Sequence, residues 1–334
     1  MQPFISILMP VYNAAPFLAE CLDSICNQSY QNWELLAVDD YSKDQSKTIL
    51  EAYAQKDKRI KVYQNHAKGI IPALRLALKK SKGNFITRMD ADDLMPLDKL
   101  SKMQALLKEQ GGGSIVTGLV EYFSASGIRD GYRRYEAWLN SILLEGRTYE
   151  EIYRECVIPS PAWMIHREDL MKCGAFETST YPEDYDLVFR FYEAGLEVSA
   201  VPDLVHYWRD HPERSSRTME QYANAAYFAL KVPYFLKLDH DPKRPLVIWG
   251  AGKKGKAVAQ LLLDQQVDFH WLCDNPAKIG LSIYGVPLFE VAKLESFTHP
   301  QVLVVVSNPE EQLSIRNYLH QLDLAPGRDY FFMV

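Results

Sequence analysis

Four consecutive positions, Asp90-Ala91-Asp92-Asp93, gather three carboxylates at the end of an apolar run. Side chains alternate along an extended chain, so Asp90 and Asp92 fall on one side. Anionic oxygens so placed suit a hard divalent cation, Mg²⁺ or Mn²⁺, shared with a diphosphate. The same residues also read as an acidic turn capping a helix that starts near Pro96, because aspartate is a favoured N-cap. A second group, Pro182-Glu183-Asp184-Tyr185-Asp186-Leu187, sets carboxylates at a helix start. At a helix start such carboxylates complement the helix dipole. Asp39-Asp40 closes another apolar run, as a ligand contact or as a cap.

These residues need elements to hold them. The sequence predicts strands over 4–9 (stopped by Pro10), 33–38, 60–63 and 84–89, with helices over 16–26, 46–55 and 71–80 between them. Strands spaced by helices imply an α/β domain with a mostly parallel sheet. In such sheets ligands bind beyond the carboxyl ends of strands, so Asp39 and the Asp90–Asp93 group face one crevice. A strand over 115–122 follows, then a mixed Tyr-, Arg- and Glu-rich stretch over 124–160 that predicts helices and a mobile segment. A helix is expected over 181–195, ended by Gly195.

The chain has 334 residues, 47% hydrophobic and 24% charged, which allows two domains. A net charge of -6 argues against the broad basic face that nucleic-acid binding needs. Its five cysteines include no C-x-x-C pair, so they read as reduced thiols rather than a disulfide or zinc framework. The sequence carries no signal-peptide pattern and no apolar run approaching about 18 residues. The expected place is the cytoplasm, and a lipid-linked acceptor would be met at the inner membrane face.

Three segments occur in order at strand ends: Ser6-Ile7-Leu8-Met9-Pro10-Val11-Tyr12-Asn13, Ala37-Val38-Asp39-Asp40-Tyr41-Ser42-Lys43-Asp44 and Arg88-Met89-Asp90-Ala91-Asp92-Asp93. Together they closely resemble the inverting family 2 glycosyltransferases of GT-A fold, over roughly residues 4–215. The resemblance implies transfer of a sugar from a nucleotide-diphosphate-sugar, most often UDP-linked in this family, to a glycan or lipid-linked glycan. It implies that Pro10, Val11, Tyr12 and Asn13 form the nucleobase-facing loop and that Asp39 accepts a hydrogen bond from the base. Asp90 and Asp92 match the metal and diphosphate motif for Mn²⁺ or Mg²⁺, and Arg88 and Lys68 are donor contacts. Asp184 matches the base. Trp208-Arg209-Asp210-His211 with Ser215-Ser216 resembles the segment that closes over the diphosphate, Arg209 toward phosphate and His211 as a metal ligand. Trp163, in Pro159-Ser160-Pro161-Ala162-Trp163, either stacks on an acceptor sugar or packs in the core.

Residues 1–238 are thus expected as the transferase domain, 239–245 as a linker and 246–334 as a Rossmann-like accessory domain. In the last, Gly250-Ala251-Gly252-Lys253-Lys254-Gly255 follows a strand, and Asp274 ends the next. About three strands are legible there, half a dinucleotide fold. The unit reads as an accessory nucleotide-binding or interaction module, or as a spacer whose glycines serve tight turns. Competing readings of the whole chain are a nucleotidyltransferase acting on sugar phosphates and a nucleotide-sensing binding protein. The absence of a Gly/Arg/Lys-rich loop after the first strand disfavours the former.

Overall fold

The computed structural model describes residues 2–125, 127–212, 214 and 224–334. Its chain divides into two compact units: Met1–Thr148 with Ile158–Thr218, and Tyr149–Val157 with Met219–Val334.

The first unit begins with β1 (Ile5–Val11), α1 (Ala15–Cys26), β2 (Trp33–Asp39), α2 (Ser46–Lys56), β3 (Ile60–Gln64), α3 (Ile70–Lys80) and β4 (Phe85–Arg88). Then come α4 (Lys99–Gln110), β5 (Ser114–Phe123), α5 (Asp130–Leu144), β6 (Trp163–His166), α6 (Arg167–Lys172), α7 (Glu183–Glu193) and β7 (Glu197–Arg209). The seven strands form one sheet in the order β3-β2-β1-β4-β6-β5-β7, in which β6 alone runs antiparallel to its neighbours. This is the mixed α/β architecture of the GT-A fold. The apolar runs give strands because both sheet faces are covered, so every residue of β2 is buried. Helix α1 starts with Pro16 in its first turn and buries Leu18, Cys21, Leu22 and Ile25 at helical spacing.

Pro10 does not stop β1. Strand β4 pairs with β1 only as far as Leu8, while β2 continues to Val11, so a missing N–H at Pro10 on the open side costs no ladder bond. Strand order reverses direction at β1: β2 and β3 lie on one side, β4 on the other. The carboxyl ends of β1, β2 and β4 therefore border one crevice.

The stretch after residue 124, where helices are expected, contains a 15-residue helix, α5. It closes a sheet edge by side chains. Beyond Thr117, β5 has left β6, and Asn140 takes both polar groups of Val120, at 3.0 and 2.9 Å. Glu136 accepts the Tyr122 N–H at 2.6 Å.

The second unit holds α8 (Asn224–Leu238), β8 (Leu246–Trp249), α9 (Lys253–Asp264), β9 (His270–Leu272), β10 (Ser282–Ile283), β11 (Val286–Phe289), β12 (Gln301–Val304), α10 (Pro309–Gln321) and β13 (Tyr330–Phe332). Its sheet runs β10-β11-β9-β8-β12-β13, parallel except for the β10–β11 hairpin. Six strands replace the three that periodicity revealed, because several span only two to four residues. The glycine loop has internal reasons for two of its glycines. A Cβ on Gly255 would lie 2.0 Å from the Gly250 carbonyl oxygen, and Gly250 itself sits at φ +122°. Asp274 accepts the Trp249 indole N–H at 2.9 Å.

This unit also draws a strap from the middle of the chain. Tyr153 lies edge-on to Phe235 and Phe331 at 5.7 and 5.5 Å, and Arg316 reaches Glu151 at 2.8 Å. Lys231 donates to the Arg154 carbonyl at 2.8 Å. Neither the strap nor the placement of α8 with the second unit follows the sequence expectation, which drew its boundary at 239–245. Among the described residues no helix is long and apolar enough to cross a membrane.

Candidate active site

Asp39 ends β2 with its side chain buried. One carboxylate oxygen accepts from Gln64 at 3.0 Å, and the other, Oδ1, is buried without a partner. A buried acceptor left open is costly unless a ligand N–H fills it. Asp40 is a cap after all, at a distance: both its oxygens take the Gly69 N–H at the start of α3, at 3.0 and 2.9 Å, and Asn65 donates to one at 2.7 Å. Pro10 and Val11 finish β1. Tyr12 is exposed, with the Lys68 ammonium 5.4 Å from its ring centre. Asn13, at φ 48°, accepts the Lys43 N–H at 2.8 Å and gives its own N–H to Ser42 at 3.0 Å, joining the loops after β1 and β2.

The loop after β4 is held from below. Asp93 is buried, and it caps no helix. Its oxygens take the Arg209 N–H at 2.7 Å and the His206 imidazole at 2.9 Å. On the far side of that imidazole, the buried Lys99 ammonium lies 3.5 Å from Nδ1 and donates to the Pro161 carbonyl at 2.5 Å. Burial, with the Lys99 charge beside it, pushes the His206 pKa well below its ordinary value, so the ring is neutral. The network then fixes its tautomer: Nε2–H donates to Asp93 and Nδ1 accepts from Lys99. Burial also drops Lys99 to about 7, against the pull of Asp93.

Above this support stand Asp90 and Asp92, both partly open. Asp92 Oδ2 meets His211 Nε2 at 2.8 Å, and the His211 ring rests 4.7 Å from Phe17. Arg209 clips the loop: its Nε donates to the Asp92 carbonyl and its Nη2 to Glu20, both at 2.6 Å, with its guanidinium over Phe17 and Phe123. Ser215 and Ser216 lie outside the described residues. No group of three His, Cys, Asp or Glu side chains among the described residues is arranged to hold a metal by itself.

Arg88 joins this loop to the other acidic motif. Buried at the end of β4, it donates from Nε to Asp90 at 3.0 Å and from Nη1 to Glu183 at 3.2 Å. Glu183 and Asp184 open α7, and Asp184 Oδ1 takes the Tyr185 N–H at 2.8 Å. Burial and then the Glu183 charge push the Asp184 carboxyl up to about 7, against the pull of Arg88. Burial likewise raises Asp90, more than Arg88 lowers it. Trp163 is core: it is 2% exposed and edge-on to Phe191 at 6.1 Å.

The profile of "Glycosyl transferase family 2" matches residues 6–174, half of the chain, and spans β1 to the end of α6. The chain belongs to that family. An uncharacterized glycosyltransferase of Haemophilus influenzae is 32% identical over 285 residues, 78% of this chain and 85% of its own. Among solved structures, S. aureus TarS 1-349 in complex with UDP-GlcNAc aligns with TM-score 0.55 at 20% identity, over 78% of this chain and 71% of that one. The mannosyltransferase PcManGT of Pyrobaculum calidifontis, in complex with GDP-Man and Mn²⁺, aligns with TM-score 0.52 at 22% identity, over 71% and 64%. These two likenesses concern the fold.

In this family 2 glycosyltransferase, sequence reasoning missed the Lys99–His206–Asp93 support and the Arg88–Glu183 bridge. One signal existed for the first. Lys99 recurs with Met103 and Leu107 at intervals of four along α4, a charged residue on an apolar stripe.

Proposed function

We propose that this glycosyltransferase transfers a sugar from a nucleotide-diphosphate-sugar, a UDP-sugar in the first instance, to a glycan or lipid-linked glycan, with inversion and with Asp184 as base. The supporting observation is the Arg88 bridge, which brings the Asp90 loop and the Asp184 turn to one place although they are far apart in sequence. The open oxygen of Asp39 fits the imide N–H of a uracil, with Tyr12 and Lys68 beside it.

The donor set of Asp92 and His211, with Asp90 nearby, is of the hard oxygen and imidazole type that Mn²⁺ or Mg²⁺ accepts, and the diphosphate would complete it. When bound, the cation offsets negative charge on the departing diphosphate. The protein's own part is to hold and deprotonate. The acceptor hydroxyl oxygen forms a bond to the anomeric carbon as the bond from that carbon to phosphate breaks. The electron pair leaves with the nucleoside diphosphate, and the hydroxyl proton passes to Asp184. A carboxyl near 7 holds that proton far better than one near 4, which suits a base working close to neutral pH. Residues 246–334 are best taken as a Rossmann-like accessory domain, on the strength of the strand order.

The test is a panel of UDP- and GDP-sugars with Mn²⁺, scored for nucleoside diphosphate release. Failure to turn over any donor, or full activity in Asp92→Ala, would sink the proposal. Pyrophosphate as product would instead indicate nucleotidyl transfer.

A further inference from the structure

The base-bearing turn is approached by a segment, residues 177–182, that has neither helix nor strand. Such a stretch is ordinarily the mobile part of a fold. Here one side chain from α3 gathers it. The Arg75 guanidinium donates from Nε to the Phe176 carbonyl and from Nη2 to the carbonyls of Glu177 and Thr178, at 2.6 and 2.9 Å, and to the Ser179 hydroxyl at 3.2 Å. Three successive carbonyls converge on one fixed fork of donors, a geometry that a lysine ammonium does not reproduce. The same stretch is tied to α7, where the Thr178 hydroxyl donates to Asp186 at 2.7 Å.

The helix that carries Arg75 is itself anchored at the donor end. Its first turn is gripped at Gly69 by Asp40, the residue after Asp39. A Cβ on Gly69 would also lie 3.6 Å from the Tyr181 hydroxyl, so the segment returns against the same turn just before Asp184. Asp39 and Asp184 are thus connected by a short rigid path: strand end, Asp40, α3, Arg75, then residues 176–182.

We propose that Arg75 is a positioning residue that sets the Asp184 turn and hitches it to the nucleobase end of the site, so that a nucleotide seated at Asp39 stiffens the base-bearing segment. This rests on the reading of Asp39 as nucleobase contact and Asp184 as base. Contacts confined to local folding would produce no response to nucleotide.

Hydrogen exchange of peptides covering residues 174–186 tests the idea in the whole chain, for wild type, Arg75→Lys and Arg75→Met, with and without UDP plus Mn²⁺. Calorimetry on the same samples reports UDP affinity. In Arg75→Met the segment should exchange about tenfold faster than in wild type, the equivalent of one charge-assisted hydrogen bond lost. UDP should slow the segment in wild type and not in Arg75→Met, while UDP affinity changes less than about twofold because the direct nucleotide contacts remain. Arg75→Lys, which keeps charge and stem, guards against misfolding and should exchange faster than wild type without global unfolding. Unchanged exchange in both variants, or UDP protection in Arg75→Met equal to that in wild type, overturns the proposal. If UDP gives no binding heat, the UDP-donor reading fails, and the ligand-free comparison alone decides the role of Arg75.

Discussion

Replacing Glu183 by Gln should move the acid limb of the transfer reaction without touching the base itself. The Asp184 carboxyl is raised to about 7, first by burial and next by the Glu183 charge. Gln keeps the volume and an acceptor for Arg88, removes the negative charge, and leaves Arg88 to pull more strongly on Asp184. Both effects lower the Asp184 pKa, whereas burial persists, so a downward move of about one unit is expected, equal to about 1.4 kcal/mol between protonation states. With a pKa near 7, about one-tenth of Asp184 is ionised at pH 6, and with a pKa near 6 about one-half, so activity at pH 6 relative to the plateau should rise about fivefold. The assay is nucleoside diphosphate release against pH from 5 to 9 at subsaturating donor, for both proteins. A limb that stays in place while the plateau rate survives would refute the reasoning. Asp184→Asn retaining more than about 1% of the rate would remove the base assignment, since a general base is worth roughly 10²–10⁴-fold.

Other outcomes follow from the same geometry. Because the folded Asp184 pKa lies above its ordinary 3.8, its ionisation opposes folding: stability is full below pH 3.8 and falls as pH rises through about 7. Asp184→Asn should therefore melt higher than wild type at pH 8, by at most about 4 kcal/mol, with the gain vanishing near pH 4 in calorimetric scans. Lys99 is depressed from 10.5 to about 7, so wild-type stability should rise between those values, and Lys99→Met should lack that rise in urea titrations. A Cβ at Gly83 would lie 2.5 Å from the Ser6 nitrogen and 2.8 Å from the Phe4 carbonyl oxygen, both backbone, so Gly83→Ala should cost about 1–3 kcal/mol by urea unfolding. Chelation should abolish nucleoside diphosphate release and added Mn²⁺ restore it in wild type, whereas Asp92→Ala should not respond to Mn²⁺.

Much of the carboxylate framework is legible in the sequence because its members stand at strand ends, where periodicity breaks visibly. Asp39, Asp90 and Asp92 could be placed that way, and the strands that bear them lie within two residues of expectation. What pattern could not supply was the pairing of side chains distant in sequence. Nothing local in Lys99 says that its ammonium meets the Pro161 carbonyl, and nothing in Arg88 says that it turns toward Glu183 rather than outward to a donor. Arg209 likewise looks like an open phosphate fork until its donors are seen to clasp Asp92 and Glu20. The strand at Pro10 was cut short by a rule about proline that holds only where a ladder partner exists. The sheet of the second unit escaped because two- to four-residue strands carry no measurable period.

The strap at residues 149–157 sets an order of events during synthesis. Its apolar residues Ile152, Tyr153 and Val157 leave the ribosome well before Phe235 and Phe331, the rings that enclose Tyr153. Until the last strand is made, that strap has no folded unit to join, and it stays a loose apolar thread between two segments of the transferase sheet. Closing it requires contacts across much of the chain, such as Arg316 to Glu151, which favours late and slow completion of the second unit. A gene truncated after residue 238 would consequently yield a transferase half trailing an unsatisfied hydrophobic loop, prone to association. No single cut in the chain therefore separates the two units.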